Sequence, residues 1–261
     1  MRGLPILPGL LIPVKSVSYK LPLEIKDINE NTMKTLLFFC LTMFSVAIAG
    51  AQNLQLHYNL DEDGAYFTST VEMFRPDKWG STFFFIDMDY NVAGIKGISL
   101  AYWEIARAIK PGDFPFAFHV EYNGGLGQYE ADNIAKAFTI EDAWLCGIEH
   151  SWNAADYSRG LTLQGLYKYI RGKHDVSFQL TAVWYWDLFN NRLSFTGFAD
   201  WWREDFIIEG EKTKFVFLAE PQIWYNFNKN LAIGSEIELS SNVYNSDILH
   251  VMPTIGAKVS F

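Results

Sequence analysis

The side chains of this chain that could perform acid–base or metal chemistry are five histidines and a large set of carboxylates. His119 and Glu121 are two residues apart, so on a β-strand both would point to one face and could form an acid–base or metal-binding pair. The spacing shows no third ligand for a metal such as zinc. The sequence therefore favours a polar network over an enzyme active site and predicts no cofactor. No recognisable nucleophile motif stands beside any of the histidines, which are His57, His119, His150, His174 and His250.

The segments that must position these residues alternate polar and apolar side chains, as β-strands do when one face meets an apolar environment. In the closing stretch 251–261, Val251, Ile255 and Val259 share one face, and Lys258 lies on the other. The length of this stretch suits a tilted membrane-spanning strand, which needs roughly 9–11 residues. Similar alternation recurs in about twelve segments after the first fifty or so residues, and no stretch among them has the period of a helix.

The connections between these segments alternate in length. Short turns on one side, longer loops on the other and an even number of strands predict an all-β fold, a transmembrane antiparallel up-and-down β-barrel of about twelve strands. A soluble β-sandwich also alternates, but it would not usually place aromatic residues near the ends of so many outward faces. The connections near 76–80, 110–113, 187–191 and 226–230 are short, those near 123–137, 203–212 and 241–247 are longer, and 151–160 is a partial exception.

Two segments depart from strict alternation. Within Ile98–Ile109 the pattern slips between Glu104 and Arg107, which predicts a β-bulge at that point. Within the segment that follows residue 139, Asp142 falls among the apolar positions as a local misfit.

The N-terminal part of the chain has the features of a targeting sequence. Residues 33–51 begin with a basic residue, continue with an apolar run and end in small residues, as a signal peptide does. We expect cleavage after Ala51, or two residues earlier, which leaves 52–261 as the barrel domain. Residues 1–32 precede a complete signal sequence, and we interpret them as an upstream extension that a mis-called start codon would produce, with a genuine N-terminal extension as the alternative.

The composition excludes some classes of partner. The formal net charge is −9, and because phosphate binding needs a basic surface, we expect no nucleic-acid partner. Aromatic residues make up 16% of the chain, which fits both strands and the aromatic girdles of a membrane barrel. Cys146 is the only cysteine after the expected signal peptide, so no disulfide can form within the mature chain.

If the fold is a membrane barrel, the polar positions of the strands face its lumen. These side chains could fill a narrow barrel with salt bridges and hydrogen bonds, since buried charges must be paired. They could instead line a small-solute pore, with inward aromatic rings available to stack a flat molecule. The sequence predicts a salt bridge from Lys258 to a carboxylate on either neighbouring strand, and Glu236 and Glu238 are the nearest candidates by strand order. The candidate lumen-lining residues are Glu72, Phe83, Phe85, Asp87, Asp89, His119, Glu121, Lys168, Gln179, Tyr185, Arg192, Asp200, Glu220, Trp224, Glu236, Glu238 and Lys258.

The chain also resembles a known family of barrels. The signal sequence, the segment with Glu72-x-Phe74, Trp79-Gly80 and Phe83-Phe-Phe-Ile-Asp87, the strand number and the terminal Phe261 resemble the Tsx-like, nucleoside-specific channel-forming outer-membrane proteins. Within that family the chain looks most like an uncharacterised branch from Bacteroidota-type bacteria. The resemblance implies passive uptake of nucleosides across the outer membrane, but the family's nucleoside-contacting residues cannot be matched one by one. A terminal strand that ends in phenylalanine resembles the closing strand by which the barrel-assembly machinery recognises its substrates.

The sequence therefore predicts an exported outer-membrane protein whose partners are outer-membrane lipid, the barrel-assembly machinery and a small hydrophilic solute. Two alternatives remain open at this point. One is a structural or adhesive barrel without transport, and the other is a barrel enzyme such as a phospholipase with a Ser-His pair on its outer wall.

Overall fold

The computed structural model describes residues 52–60, 65–173, 176–208, 211–243 and 249–261. The expected upstream extension, the expected signal peptide and His174 lie outside these residues. Every regular element in the described part is a β-strand. The strands are β1 (Gln52–Asn59), β2 (Tyr66–Asp77), β3 (Gly80–Tyr90), β4 (Ile98–Ile109), β5 (Ala117–Ala131), β6 (Ile134–Asn153), β7 (Arg159–Ile170), β8 (Ser177–Leu188), β9 (Leu193–Ile208), β10 (Glu211–Ala219), β11 (Gln222–Asn226), β12 (Leu231–Ser241) and β13 (His250–Ser260).

The strands form one closed antiparallel barrel. Along the chain each strand pairs with the next, except that β10 does not pair with β11, and β1 pairs with β13, which closes the sheet. Strands β10 and β11 both pair with β9 and β12, and the break between them contains Pro221, which has no N–H to donate to a ladder. Counted as one strand, they give a twelve-stranded barrel, which confirms the predicted fold. No helix in the described ranges is long and apolar enough to cross a membrane.

The barrel is apolar outside and mostly polar inside. On β13, Val251 and Ile255 are 53% and 63% exposed, whereas Met252 and Thr254 between them are 5% and 2% exposed. The same alternation holds around the barrel, so that its outer surface carries many large exposed apolar side chains. A water-soluble monomer rarely exposes a contiguous apolar patch of more than a few hundred Å². An outer surface of this kind is suited to contact with lipid.

The predicted closure of the barrel is confirmed. Leu54 lies opposite Val259 and Leu56 lies opposite Ala257 in the β1–β13 ladder. The backbone N–H of Phe261 donates to the carbonyl oxygen of Gln52 at 2.9 Å. The first and last strands therefore meet with matched apolar positions on the outside.

Two of the predicted longer loops are wrong, because strands occupy most of both. Residues 123–137 belong to the β5–β6 hairpin, whose two turn residues, Asp132 and Asn133, have φ angles of 57° and 59°. This left-handed pair is typical of the tightest hairpin turns. Residues 203–212 are likewise mostly covered by the ends of β9 and β10. At the end of the barrel opposite the two termini, β5, β6, β9 and β10 therefore extend into positions where loops were expected.

The predicted bulge between Glu104 and Arg107 is also wrong. The register of β3 and β4 shifts between Asp89 and Tyr90, where Ser99 is the extra residue on β4. Arg107 follows the normal alternation, and its guanidinium binds Asp77 at 2.6 Å on the outer surface.

The misfit of Asp142 has a structural reason. The register of β5 and β6 shifts beside it, so three residues of β6 span the distance covered by two on β5. At this bulge the Asp142 carboxylate accepts a hydrogen bond from the Tyr122 hydroxyl at 2.8 Å and pairs with Arg171. A shift of one residue reverses the faces, which is why the local alternation failed there.

Candidate functional site

The barrel interior is the candidate site, and strand alternation places nearly all the candidate residues in it. Arg192 differs, because it lies in the turn before β9 and is exposed. The other candidates occupy inward positions of β2–β5, β7–β9, the β10–β11 strand, β12 and β13. They form two walls of different character and a network between those walls.

The open wall is the interior face of β2, β3 and β4. No residue of β2 or β3 is fully buried, although both strands lie in the middle of a closed sheet. The wall presents carboxylates that accept hydrogen bonds from neighbouring hydroxyls, from Thr70 to Asp87 at 2.5 Å and from Thr68 to Asp89 at 2.6 Å. Its inward side chains include Thr68, Thr70, Glu72, Phe83, Phe85, Asp87, Asp89, Tyr102 and Glu104.

An aromatic strip lies in the half of the open wall that is nearer the first and last residues of the barrel. The rings of Phe83 and Phe85 have centroids 5.9 Å apart, and those of Phe85 and Tyr102 are 5.8 Å apart. The Tyr102 hydroxyl donates to the Glu104 carboxylate at 2.6 Å. The strip therefore combines flat apolar surfaces with hydrogen-bond acceptors at its edge.

The packed wall is the interior face of β11, β12, β13 and β1, and it is centred on Trp224. This indole is 0% exposed, donates its Nε1–H to Gln222 at 2.8 Å and meets the ring of His57 edge-on at 5.6 Å. Two glycines make room for it, since a Cβ on Gly234 would lie 2.6 Å from the indole and one on Gly256 would lie 3.1 Å from it. The buried side chains of this wall include Gln55, His57, Asn59, Trp224, Ala232, Met252 and Thr254.

Lys258 does not form the predicted salt bridge with Glu236 or Glu238. Its Nζ lies 4.2 Å from the ring centroid of Trp224, a cation–π contact. In the ladders, its cross-strand neighbours are Gln55 and Ala232. Strand order correctly indicated that β12 lies next to Lys258. The position of Lys258 along β13, however, places its ammonium group beside the indole of Trp224 and not beside either glutamate.

Carboxylates of the two walls face each other across the interior. Glu220, between β10 and β11, interacts electrostatically with Glu236 on its own side and with Asp87 and Glu104 of the open wall. The space between the walls is therefore lined by carboxyl groups from both sides.

The Lys168 network occupies β7, β8 and β9, and Lys168 interacts electrostatically with Glu104 of the open wall. Lys168 donates to Gln179 at 2.7 Å, and its Nζ lies 4.2 Å from the ring centroid of Trp202. On the same strands, Thr181 donates to Asp200 at 2.5 Å. Beside the network is a small apolar cluster that the sequence did not indicate, formed by Ala143, Leu145, Leu166 and Ile170.

His119 and Glu121 do lie together, but in a three-residue arrangement. One ring nitrogen of His119 contacts Glu149 at 2.7 Å and the other contacts Glu121 at 2.9 Å, in a site where the histidine is 4% exposed. Because both nitrogens are engaged, neither is available to a metal or a substrate. In the described part of the chain, no group of three His, Cys, Asp or Glu side chains is arranged to hold a metal ion.

Several interior residues were missed by the sequence reasoning. Gln55 and His57 follow the polar positions of β1, so strict alternation would have found them. Tyr102 and Glu104 were obscured by the incorrectly placed bulge. Trp202 lies two residues beyond Asp200 on the inward face of β9, so strict alternation would have found it as well.

Comparisons with known proteins give a family match and one structural match that supports the fold. The family model described as a domain of unknown function (DUF5020) matches residues 51–261. No curated protein matches the chain. A NanC porin structure superposes with a TM-score of 0.52 at 10% sequence identity, covering 81% of this chain and 100% of that one. A KdgM porin in complex with disordered oligogalacturonate gives a TM-score of 0.46 at 9% identity, covering 80% of this chain and 99% of that one.

Proposed function

We propose that this chain, which belongs to the family of the domain of unknown function DUF5020, forms an outer-membrane channel through which small hydrophilic solutes diffuse. The observation that carries the proposal is the contrast between the apolar outer surface and an interior whose open wall stays accessible along β2 and β3. Without a pathway, the interior of a barrel of this size would be filled with side chains on all sides. The passage runs along the open wall.

The proposed location follows from the same contrast and from the expected signal peptide at 33–51. A closed barrel satisfies every backbone hydrogen bond within the sheet, as a lipid environment requires. We propose that Phe261 is the assembly signal, because its side chain is 62% exposed while its backbone completes the β1–β13 closure.

The assembly role predicts that Phe261→Ala lowers the amount of folded barrel in the outer-membrane fraction several-fold. Phe227→Ala is the matched control, since that side chain is also exposed, at 55%, in a turn at the same end of the barrel. Folded protein is measured by its heat-dependent shift in gel electrophoresis. Equal amounts of both variants in the membrane would contradict the proposed signal.

For the solute, we propose nucleosides. The aromatic strip of Phe83, Phe85 and Tyr102 offers surfaces on which a nucleobase can stack, and the neighbouring carboxylates accept hydrogen bonds from ribose hydroxyls. The buried indole of Trp224 is not available for this purpose, because Lys258 and His57 cover it. The resemblance of the 72–87 segment to nucleoside-specific channels supports the same solute.

The channel is tested by single-channel recording of the 52–261 protein in planar bilayers, first in KCl and then with added uridine or adenosine. We expect discrete conductance that nucleosides reduce, and Phe85→Ala should weaken that block several-fold. Phe118→Ala is the control, because this side chain points outward and is 55% exposed. Conductance that nucleosides do not affect would retain the channel and eliminate this solute.

A structural or adhesive barrel without transport is the second candidate, and the tight packing around Trp224 favours it. A folded barrel that shows no conductance in the same recordings, and no solute entry when reconstituted in liposomes, would establish that alternative.

A further inference from the structure

Strand β6 extends well beyond one of its two neighbours. It has 20 residues and pairs with β5 from its first residue onward, but with β7 only from Ala143 onward. In the described part of the chain, residues 134–142 therefore lie in no ladder on the β7 side. A backbone bond of 2.9 Å from the Arg171 N–H to the Asp142 carbonyl oxygen marks where that ladder ends. The rest of this segment projects beyond the β7–β8 hairpin.

The backbone groups of the projecting segment alternate in direction. The residues that flank a two-residue hairpin turn form a hydrogen-bonded pair, so Ile134 and every second residue up to Ile140 bond to β5. The residues between them direct their N–H and C=O groups toward the β7 side. These residues, which we call the β6 edge, are Ala135, Ala137 and Thr139.

The large side chains on the inner face of this segment lean away from the β6 edge. They lie over β5, where two glycines leave room for them. A Cβ on Gly127 would lie 2.6 Å from the ring of Phe138, and one on Gly125 would lie 2.8 Å from the Cδ1 atom of Ile140. The side chains of the β6 edge itself are two alanines and a threonine, and all three residues are exposed.

The devices that usually protect an exposed strand edge are absent from this stretch or point elsewhere. Proteins commonly protect such an edge with a proline, a bulge or a lysine. Residues 134–140 contain no proline, and their ladder with β5 is in regular register. Lys136 is the only charged residue among them, and its ammonium group lies 3.8 Å from Asp132 in the hairpin turn. The β6 edge can therefore pair with another strand.

The space beside the β6 edge is bounded on its far side by β9. The ladder of β9 with β8 ends where Trp202 lies opposite Gln179, whereas β9 continues to Ile208 and pairs there with β10. The β7–β8 hairpin is thus shorter than the hairpins on both sides of it. Since neighbouring strands are about 4.8 Å apart, the gap of two missing strands is roughly 14 Å wide, which is enough for an added strand.

We propose that the β6 edge binds an extended segment of another polypeptide, which adds to the sheet as a strand antiparallel to β6. N–H and C=O groups repeating every second residue match the backbone of a strand, and this kind of pairing is a recurring mode of peptide recognition. The small side chains of Ala135 and Ala137 leave room for β-branched or aromatic residues of the partner on that face. The proposal does not depend on the proposed channel.

The binding test uses a fluorescein-labelled peptide of alternating threonine and valine, with a lysine at each end, and the folded 52–261 protein in detergent micelles. Fluorescence anisotropy should show saturable binding. Ala137→Pro should weaken it several-fold, because proline removes an N–H from the β6 edge and leaves the bonds to β5 in place. Ala137→Val is the matched control and should bind like the unchanged protein. A peptide with proline at every second position should not bind.

Hydrogen exchange measured by NMR locates the bound peptide. The amide hydrogens of Ala135, Ala137 and Thr139 should exchange quickly in the protein alone and slowly once the threonine–valine peptide is added. Those of Lys136 and Phe138, which bond to β5, should exchange slowly in both conditions. Each variant is first shown to be folded by its heat-dependent gel shift.

The outcomes distinguish the possible occupants of the β6 edge. If the folded protein does not bind the peptide, if Ala137→Pro binds it equally well, or if the edge amides gain no protection, the proposal is wrong. A dimer that forms without peptide and is lost in Ala137→Pro would assign the edge to a second copy of the chain and overturn the proposed partner. None of these results changes the conductance expected of the channel.

Discussion

The open wall and the packed wall are built by the same rule of alternation but filled in opposite ways. On the packed wall, the indole of Trp224 lies against Gly234 and Gly256. Because these glycines have no side chain, the indole packs close to the backbone and is fully buried. On the open wall, Phe85 faces no such gap and stays half-buried. Alternation thus decides which residues are inside the barrel, whereas the pairing of large and small side chains on adjacent strands decides where space remains.

The largest expected difference between the walls is in packing. Trp224→Ala should lower the free energy of unfolding by about 3–5 kcal/mol, the usual cost of truncating a fully buried aromatic side chain. Phe85→Ala, on the open wall, should cost about 1–2 kcal/mol because its ring is only partly removed from solvent. Urea unfolding of both variants in lipid vesicles measures the two costs. Equal costs would show that the walls are packed alike.

The outer side of the packed wall should behave as a lipid-facing surface. Ile255 points outward on β13 and is 63% exposed, so Ile255→Arg should destabilise the barrel by about 2–4 kcal/mol if the residue lies near the middle of the bilayer. Ile255→Leu is the control and should change stability little. The same unfolding assay measures both, and a negligible effect of the arginine would argue against lipid contact at this face.

A smaller effect is expected from the contact between Lys258 and Trp224. A double-mutant cycle with Lys258→Met and Trp224→Phe should give a coupling energy of about 1–2 kcal/mol, since the pair is shielded from water. Lys78 and Trp79, in an exposed turn with 5.2 Å between Nζ and the ring centroid, are the control pair and should couple by about 0.5 kcal/mol. A coupling energy for Lys258 and Trp224 that is no larger than that of the exposed pair would mean that water reaches their contact on the packed wall.

Much of the fold followed from the sequence because alternation is a local property. The closing strand, predicted at residues 251–261 and observed as His250–Ser260, has the predicted inward and outward faces. Local pattern failed where a strand gains a residue, as at Ser99 and Asp142, because one extra residue reverses the faces beyond it. It also failed for the β5–β6 hairpin, whose glycines and polar residues suggested a loop although they extend two paired strands.

The site was less predictable than the fold, because its contacts depend on the register between neighbouring strands, which decides which side chains lie next to each other. Lys258 was placed inside the barrel by its parity, but its contact with Trp224 depends on how β11, β12 and β13 are staggered. The space left along β2 and β3 likewise depends on how the remaining walls are filled. Neither quantity is encoded in the periodicity of one segment.

Matched cysteine substitutions on the two walls test the central claim most directly. Cys146 is the only cysteine in residues 52–261, so Cys146→Ser provides a background into which Thr70→Cys or Thr254→Cys is introduced. Both threonines point inward, but Thr70 is half-buried on the open wall and Thr254 is 2% exposed on the packed wall.

A cationic, membrane-impermeant thiol reagent is then added during single-channel recording. If solutes pass along the open wall, the current through the Thr70→Cys channel falls as the reagent reacts, and the current through the Thr254→Cys channel does not change. Reaction at Thr254→Cys that is as fast as at Thr70→Cys, or no reaction at Thr70→Cys in a conducting barrel, would contradict a passage along this wall.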